Sequence, residues 1–290
     1  MIDRSALIKD LKVLSSLQDE TIGIFVDALT YGSGTSSPDP ALQPFISVGC
    51  SRLLIAPSFW LSGNIERNLL SLQARRHPRS FDRQSGAFEK EMLRELGESK
   101  GLTLNSSRTG IMLRSGGEKE EIDLLLWDEQ AHIFLVCEMR AMLQPGDPRE
   151  VLNRKKEIHR KVIQVQRKVK WIKDNPKSIL NSLGMEVGLD WSIRGLVTVS
   201  GYGGAASDVS DINVIPFELF LAAFREAAAL SDLVAWIDKL EWQPKDNEDY
   251  RLVENKQMLH DGPKITSEGI ELMIFQNEFF LKALKSLQRK

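Results

Sequence analysis

Apolar and polar positions alternate in two neighbouring stretches, Glu121-Ile122-Asp123-Leu124-Leu125-Leu126 and Ile133 to Arg140, and both predict strands although each carries charge. Alternation places Glu121 and Asp123 on one face of the first strand and Glu138 and Arg140 on one face of the second. The short Asp128-Glu129-Gln130 connection predicts a hairpin that brings Asp123 close to Glu138. Burying an unpaired carboxylate costs several kcal/mol, so these two groups need a cation, a basic side chain or a proton.

The rest of the pattern supplies an element order. Leu7, Leu11 and Leu14 at helical spacing, followed by Glu20 to Leu29, predict two short helices. A loop rich in glycine, serine and proline runs from Tyr31 to Pro44, and Phe45 to Val48 with Arg52 to Ile55 predict a small hairpin around Gly49. Asn64 to Gln73 is a further helix. From Ser85 a helix leads to Gly101, strand signals follow at Leu102 to Leu104 and Ile111 to Leu113, and the two acidic strands come next. A long helix from Glu150 to Lys173 stops at Asn175-Pro176, a strand spans Ile193 to Ser200, and a short strand at Ile212 to Ile215 runs into a helix from Phe217 to Leu240. The tail carries a strand at Tyr250 to Glu254 and a helix with Phe275, Phe279, Phe280, Leu281 and Leu284, whose apolar stripe suits core packing or a dimer face.

Composition narrows the class. With 42% hydrophobic and 27% charged residues in 290, the chain is globular, and its net charge of −2 argues against indiscriminate coating of nucleic acid. Cys50 and Cys137 are too far apart in sequence for a zinc-ligand spacing, and Cys137 reads as a small buried strand residue. The four histidines show no HxH or HExxH spacing, and Gly201-Tyr202-Gly203-Gly204 lacks the pattern of a phosphate-binding loop, so it reads as a turn. No apolar run approaches the roughly 20 residues of a membrane span, and the start of the chain is unlike a signal peptide, which predicts a cytoplasmic protein.

Asp123, fourteen intervening residues and then Glu138-Met139-Arg140, set within the order helix, three strands, helix, strand, resemble the PD-(D/E)xK nuclease superfamily. The resemblance covers about Phe81 to Phe224, and Arg140 stands where the motif has lysine. It implies an α/β restriction-endonuclease-like core, a mixed central sheet flanked by helices in αβββαβ order. This core would span residues 81–240, between an N-terminal α+β accessory region (1–80) and a C-terminal extension (241–290). Residue by residue it implies Mg2+ or Mn2+ held by Asp123 and Glu138, with the carbonyl of Met139 and with Glu89 from the preceding helix, Glu91 being a near alternative. Gln164 or Gln166 would point into the site. Arg140 would grip phosphate, but a guanidinium with a pKa above about 12 cannot serve as a general base.

Basic residues crowd the long helix. Arg154, Lys155, Lys156, Arg160, Lys161 and Lys168 form an expected phosphate-contacting face, extended by Arg75, Arg76, His77, Arg79 and Arg83. The expected partner is nucleic acid, DNA ahead of RNA, with a homodimer or a partner protein also open. Two functions follow from the resemblance. One is a metal-dependent nuclease acting in restriction, repair or defence. The other is a catalytically degenerate module that binds nucleic acid or protein, in which Arg140 pairs with Glu138 or Asp123 and fills the metal position.

Overall fold

The computed structural model describes residues 1–35, 38–55, 64–98, 106–146, 148–185, 190–201, 211–258, 264–274, 276–285 and 287. They form two compact units, Met1–Glu89 and Lys90–Lys290.

In the first unit, β1 (Ile2–Asp3) leads into α1 (Arg4–Leu14) and α2 (Asp19–Ala28), followed by β2 (Phe45–Val48), β3 (Arg52–Ile55) and α3 (Ile65–Arg76). The strands make a small antiparallel sheet in the order β1-β3-β2, and Ile22, Val26, Leu29, Phe45, Leu53 and Leu72 fill the core beneath it. Side chains start two of these helices: the Asp3 carboxylate accepts from the N–H groups of Ser5 and Ala6, and Asn64 accepts from that of Arg67. The buried Gln43 amide donates to the carbonyls of Ala28, Thr30 and Ser33, which pins the start of the glycine-rich loop. β1, only two residues long, carries no sequence pattern and exists because β3 offers it an edge.

α4 (Pro78–Glu98) crosses from the first unit into the second. The second unit is a mixed α/β body built on a five-stranded sheet. Its strands are β4 (Ser106–Ser115), β5 (Glu118–Asp128), β6 (Ile133–Arg140), β7 (Ser192–Val199) and β8 (Asn213–Pro216), lying side by side in that order. β4, β5 and β6 form an antiparallel meander, while β6, β7 and β8 are parallel. The parallel step needs a crossover, which α5 (Pro148–Asp174) and α6 (Pro176–Leu183) supply.

Two cores follow from the two faces of the sheet. Ile158, Val162, Val165, Val169 and Ile172 of α5 pack on Leu125, Val136 and Val197, as the apolar stripe of that helix predicts. On the other face Leu124, Leu126, Leu135 and Met139 meet α7 (Phe217–Glu226) and α8 (Leu230–Asp238). The single helix expected over Phe217 to Leu240 is thus two, with Ala227 extended between them. The break keeps Ala227 and Leu230 buried, and neither glycine nor proline marks it.

The tail extends the second core. Ala283 of α9 (Gln276–Lys285) and Leu287 are buried in it, and the Trp236 indole N–H donates to the Ala283 carbonyl at 2.9 Å. The strand expected at Tyr250 to Glu254 is longer, β9 (Tyr250–Met258), and it pairs with β10 (Lys264–Leu272) in a two-stranded ribbon. The sequence of β10 lacks a regular apolar–polar alternation, which hid it in the pattern. The expected strand at Leu102 to Leu104, the turn at Tyr202 to Gly204, His260 and Phe275 lie outside the described residues. Among the described residues no helix is long and apolar enough to cross a membrane.

Two predictions arise from this framework. A Cβ added at Gly195 of β7 would come within 2.5 Å of both Val165 Cγ1 and Ile212 Cδ1. Gly195→Ala is therefore expected to cost about 1–3 kcal/mol by overpacking, read as a lowered thermal midpoint. The second concerns Asp249, which is buried and accepts from Lys282 Nζ at 2.6 Å and from the Lys245 N–H at 2.8 Å. Burial pushes its carboxyl up, but the Lys282 ammonium and the Lys245 amide outweigh this and hold it below the ordinary value. A depressed carboxylate stabilises the fold fully above its unfolded pKa of about 4 and loses that contribution as pH falls through the folded value. Asp249→Asn should flatten this acid limb in a plot of thermal midpoint against pH.

Candidate active site

The site sits where β5 and β6 part. Their ladder runs from Asp128↔Ile133 to Leu124↔Cys137, and one residue further on the Asp123 side chain takes over, its Oδ2 accepting the Met139 N–H at 2.9 Å. The faces of β5 also exchange at this point, since Ile122 packs in the core under α5 while Leu124 packs in the opposite one. On the outer neighbour β4, Gly110 lies between the paired positions Thr109↔Leu124 and Ile111↔Ile122 with φ 58°, a conformation that side chains with a Cβ rarely adopt. Strict alternation, which would keep residues 122 and 124 on one face, fails here because the strand coils to turn Asp123 toward β6.

Glu138 is fully buried on the α5 side of β6. Its Oε2 accepts from Lys161 Nζ at 2.9 Å, and its Oε1 accepts from Lys168 Nζ. The Lys161 ammonium also lies 3.9 Å from Asp123 Oδ2, so it stands between the two carboxylates. The cation that answers the buried charge is therefore a pair of lysines from α5. Arg140 Nε lies 3.8 Å from Glu157 Oε1 on the same helix. The ion pairs described for Glu138 are with these two lysines.

The phosphate-contacting face expected on α5 loses three of its six members. Lys161 and Lys168 turn inward to Glu138, and Arg154 is buried, donating to the carbonyls of Leu143 at 2.9 Å, Ser200 at 2.7 Å and Gly201 at 3.0 Å. These contacts tie the segment after β6 to the end of β7, helped by the Ser200 hydroxyl, which donates to the Met142 carbonyl and accepts from its N–H. Burial pushes the Arg154 guanidinium below its ordinary pKa, against the attraction of Glu218. Lys155, Lys156 and Arg160 are exposed, Arg160 reaching Glu157 at 3.1 Å. In the second basic cluster, Arg76 donates to the carbonyls of Ala28 and Ser33, so it too serves the fold.

Gln164 is half-buried on the same row of α5 as Lys161 and Lys168, whereas Gln166 is exposed. Met139 is buried, with its N–H given to Asp123. Glu89 is the last residue of the N-terminal unit, outside the unit that carries Asp123 and Glu138. Among the described residues no group of three or more His, Cys, Asp or Glu side chains is arranged to hold a metal ion. Cys137 is buried, which pushes its thiol well up, and Glu138 and Asp123 add to the effect.

Lys161 and Lys168 carried a signal of their own. Ile158, Lys161, Val165, Lys168 and Ile172 follow a 3-4-3-4 spacing, which is one row of a helix, and three of its members are buried apolar residues. Lysines that share such a row point inward and need an acidic partner.

Asp123 and Glu138 are the side chains that could hold a hard divalent cation. Asp123 is partly exposed and its Oδ1 has no hydrogen-bond partner among the described residues, whereas both oxygens of Glu138 are held by lysines, so Glu138 would offer an oxygen to an ion only in place of one of them; carboxylate oxygens are donors of the kind Mg2+ and Mn2+ take. No family model matches the chain, and neither the curated proteins nor the solved structures include a match to it.

Proposed function

We propose that this chain is a divalent-metal-dependent nuclease of restriction-endonuclease-like fold, with DNA as the favoured substrate. The observation that carries the proposal is Lys161 Nζ standing between Asp123 and Glu138, at 3.9 and 2.9 Å. Two carboxylates and an ammonium at one strand end are the groups that phosphodiester hydrolysis calls for, and the helix order around them supports the fold. Asp123, Glu138 and water would hold Mg2+ or Mn2+, with the Met139 carbonyl as a further donor. When bound, the ion would lower the pKa of water and neutralise charge on the phosphate. Lys161 then takes the role that Arg140 cannot fill. Its ammonium donates to the attacking water or to a phosphate oxygen, and a lysine can give up its proton where an arginine does not. Arg140, partly exposed, would bind a second phosphate oxygen.

The test is cleavage of single- and double-stranded DNA and RNA with Mg2+, Mn2+ or Co2+. Asp123→Asn is the informative control, because its amide oxygen can still accept the Met139 N–H. Manganese is expected to raise the thermal midpoint of the wild type and to leave that of Asp123→Asn unmoved. Absence of both cleavage and shift would favour the second reading, a non-catalytic nucleic-acid- or protein-binding module. That reading draws support from the two lysines, which already balance Glu138 and Asp123 without an ion.

A further inference from the structure

The two lysines on Glu138 differ in standing. Lys161 retains 18% of its side-chain exposure, bonds the outer oxygen and also leans toward Asp123. Lys168 retains 3%, bonds the inner oxygen, and meets no other described acid. An incoming cation can shift Lys161 off Glu138 toward the open side of the site, where it still meets the attacking water or a phosphate oxygen, but displacing Lys168 would strand an ammonium under α5, at a cost of the order of a broken buried pair. Lys168 therefore stays on Glu138 through any cycle of ion binding.

This has a consequence for charge. Asp123 and Glu138 bring two negative charges and Lys161 and Lys168 two positive ones, so the cluster is balanced. With Lys161 moved off the carboxylates to the substrate side, Asp123, Glu138 and Lys168 present one net negative charge to a divalent ion instead of two. Resting on the nuclease reading above, we infer that Lys168 is a positioning residue that aligns Glu138 and holds the site's own affinity for the divalent ion low, leaving the balance of the attraction to the anionic phosphate of the substrate. The feature that sets ion affinity is thus the buried lysine behind the carboxylate.

The inference is tested by titrating Mn2+ into wild type, Lys168→Met and Lys168→Gln by electron paramagnetic resonance, with thermal midpoints measured in chelator and in saturating Mn2+. The expected result is Mn2+ binding tighter by about tenfold or more in the Lys168 variants, as removal of a nearby unit charge implies. Their midpoints should fall in chelator and recover in Mn2+ by more than the wild-type shift. Should Lys168→Met fail to fold, Lys168→Gln, which retains a hydrogen-bond donor to Glu138, carries the same test. Unchanged or weaker Mn2+ binding, with no enhanced recovery, would overturn the inference while wild-type binding leaves the nuclease reading intact. If neither wild type nor variants bind Mn2+, the inference and the nuclease reading fall together.

Discussion

Lys161→Met is expected to abolish cleavage, with kcat falling roughly 10²-fold or more, while Arg140→Met loses much less. The asymmetry follows from position. The Lys161 ammonium lies within 4 Å of both carboxylates, whereas Arg140 lies beside Glu157. A methionine keeps the length and apolar stem of lysine, so the loss reports the ammonium and not the packing. Steady-state cleavage of a defined duplex under saturating Mn2+ separates the two: Lys161→Met should lower kcat, and Arg140→Met should chiefly raise KM. Equal activity of Lys161→Met and wild type would remove the basis of the proposed chemistry, since no other described ammonium stands between the two carboxylates.

The second large effect is on stability. Arg154→Met should destabilise the C-terminal unit by about 3 kcal/mol or more, because three carbonyls lose their charged donor in a buried place. For a body of this size that corresponds to a midpoint lower by roughly 6–12 °C. Lys155→Met and Arg160→Met, neighbours on the same helix with exposed side chains, should change the midpoint by less than about 0.5 kcal/mol equivalent. Differential scanning calorimetry of the three variants distinguishes a clamp on the strand ends from a nucleic-acid contact, which would weaken binding and leave the midpoint alone.

Much of the framework was legible because it rests on period. The strand Ile133–Arg140, the hairpin around Gly49 and the stop at Asn175 before Pro176 follow from alternation, turn residues and the geometry of proline. The order of helix, three strands, helix and strand followed as well. The site was half legible. Asp123 and Glu138 stood out as charge in apolar strands, but a strand pattern cannot say which distant side chain answers them. Arg140 shares a face with Glu138 in the strand pattern, but the lysines that bond Glu138 come from α5, more than twenty residues further along the chain. The basic helix misled for a related reason. Counting its lysines and arginines treats them as one surface, and only their phase against the apolar row separates Lys161 and Lys168 from Lys155 and Lys156. The exchange of faces at Asp123 and the break after Glu226 have no local marker, since both arise from what the strand or helix meets in space.

The missing side chain at Gly195 has a bearing on all of this. Val165, whose methyl would collide with a Cβ there, lies on α5 midway between Lys161 and Lys168. The glycine is thus a spacer that sets how deep the helix rides on the sheet, and so how far the two ammonium groups reach toward Glu138. A larger residue at this position would lift the helix and draw the lysines back together, changing the site from a distance while leaving every one of its polar residues in place.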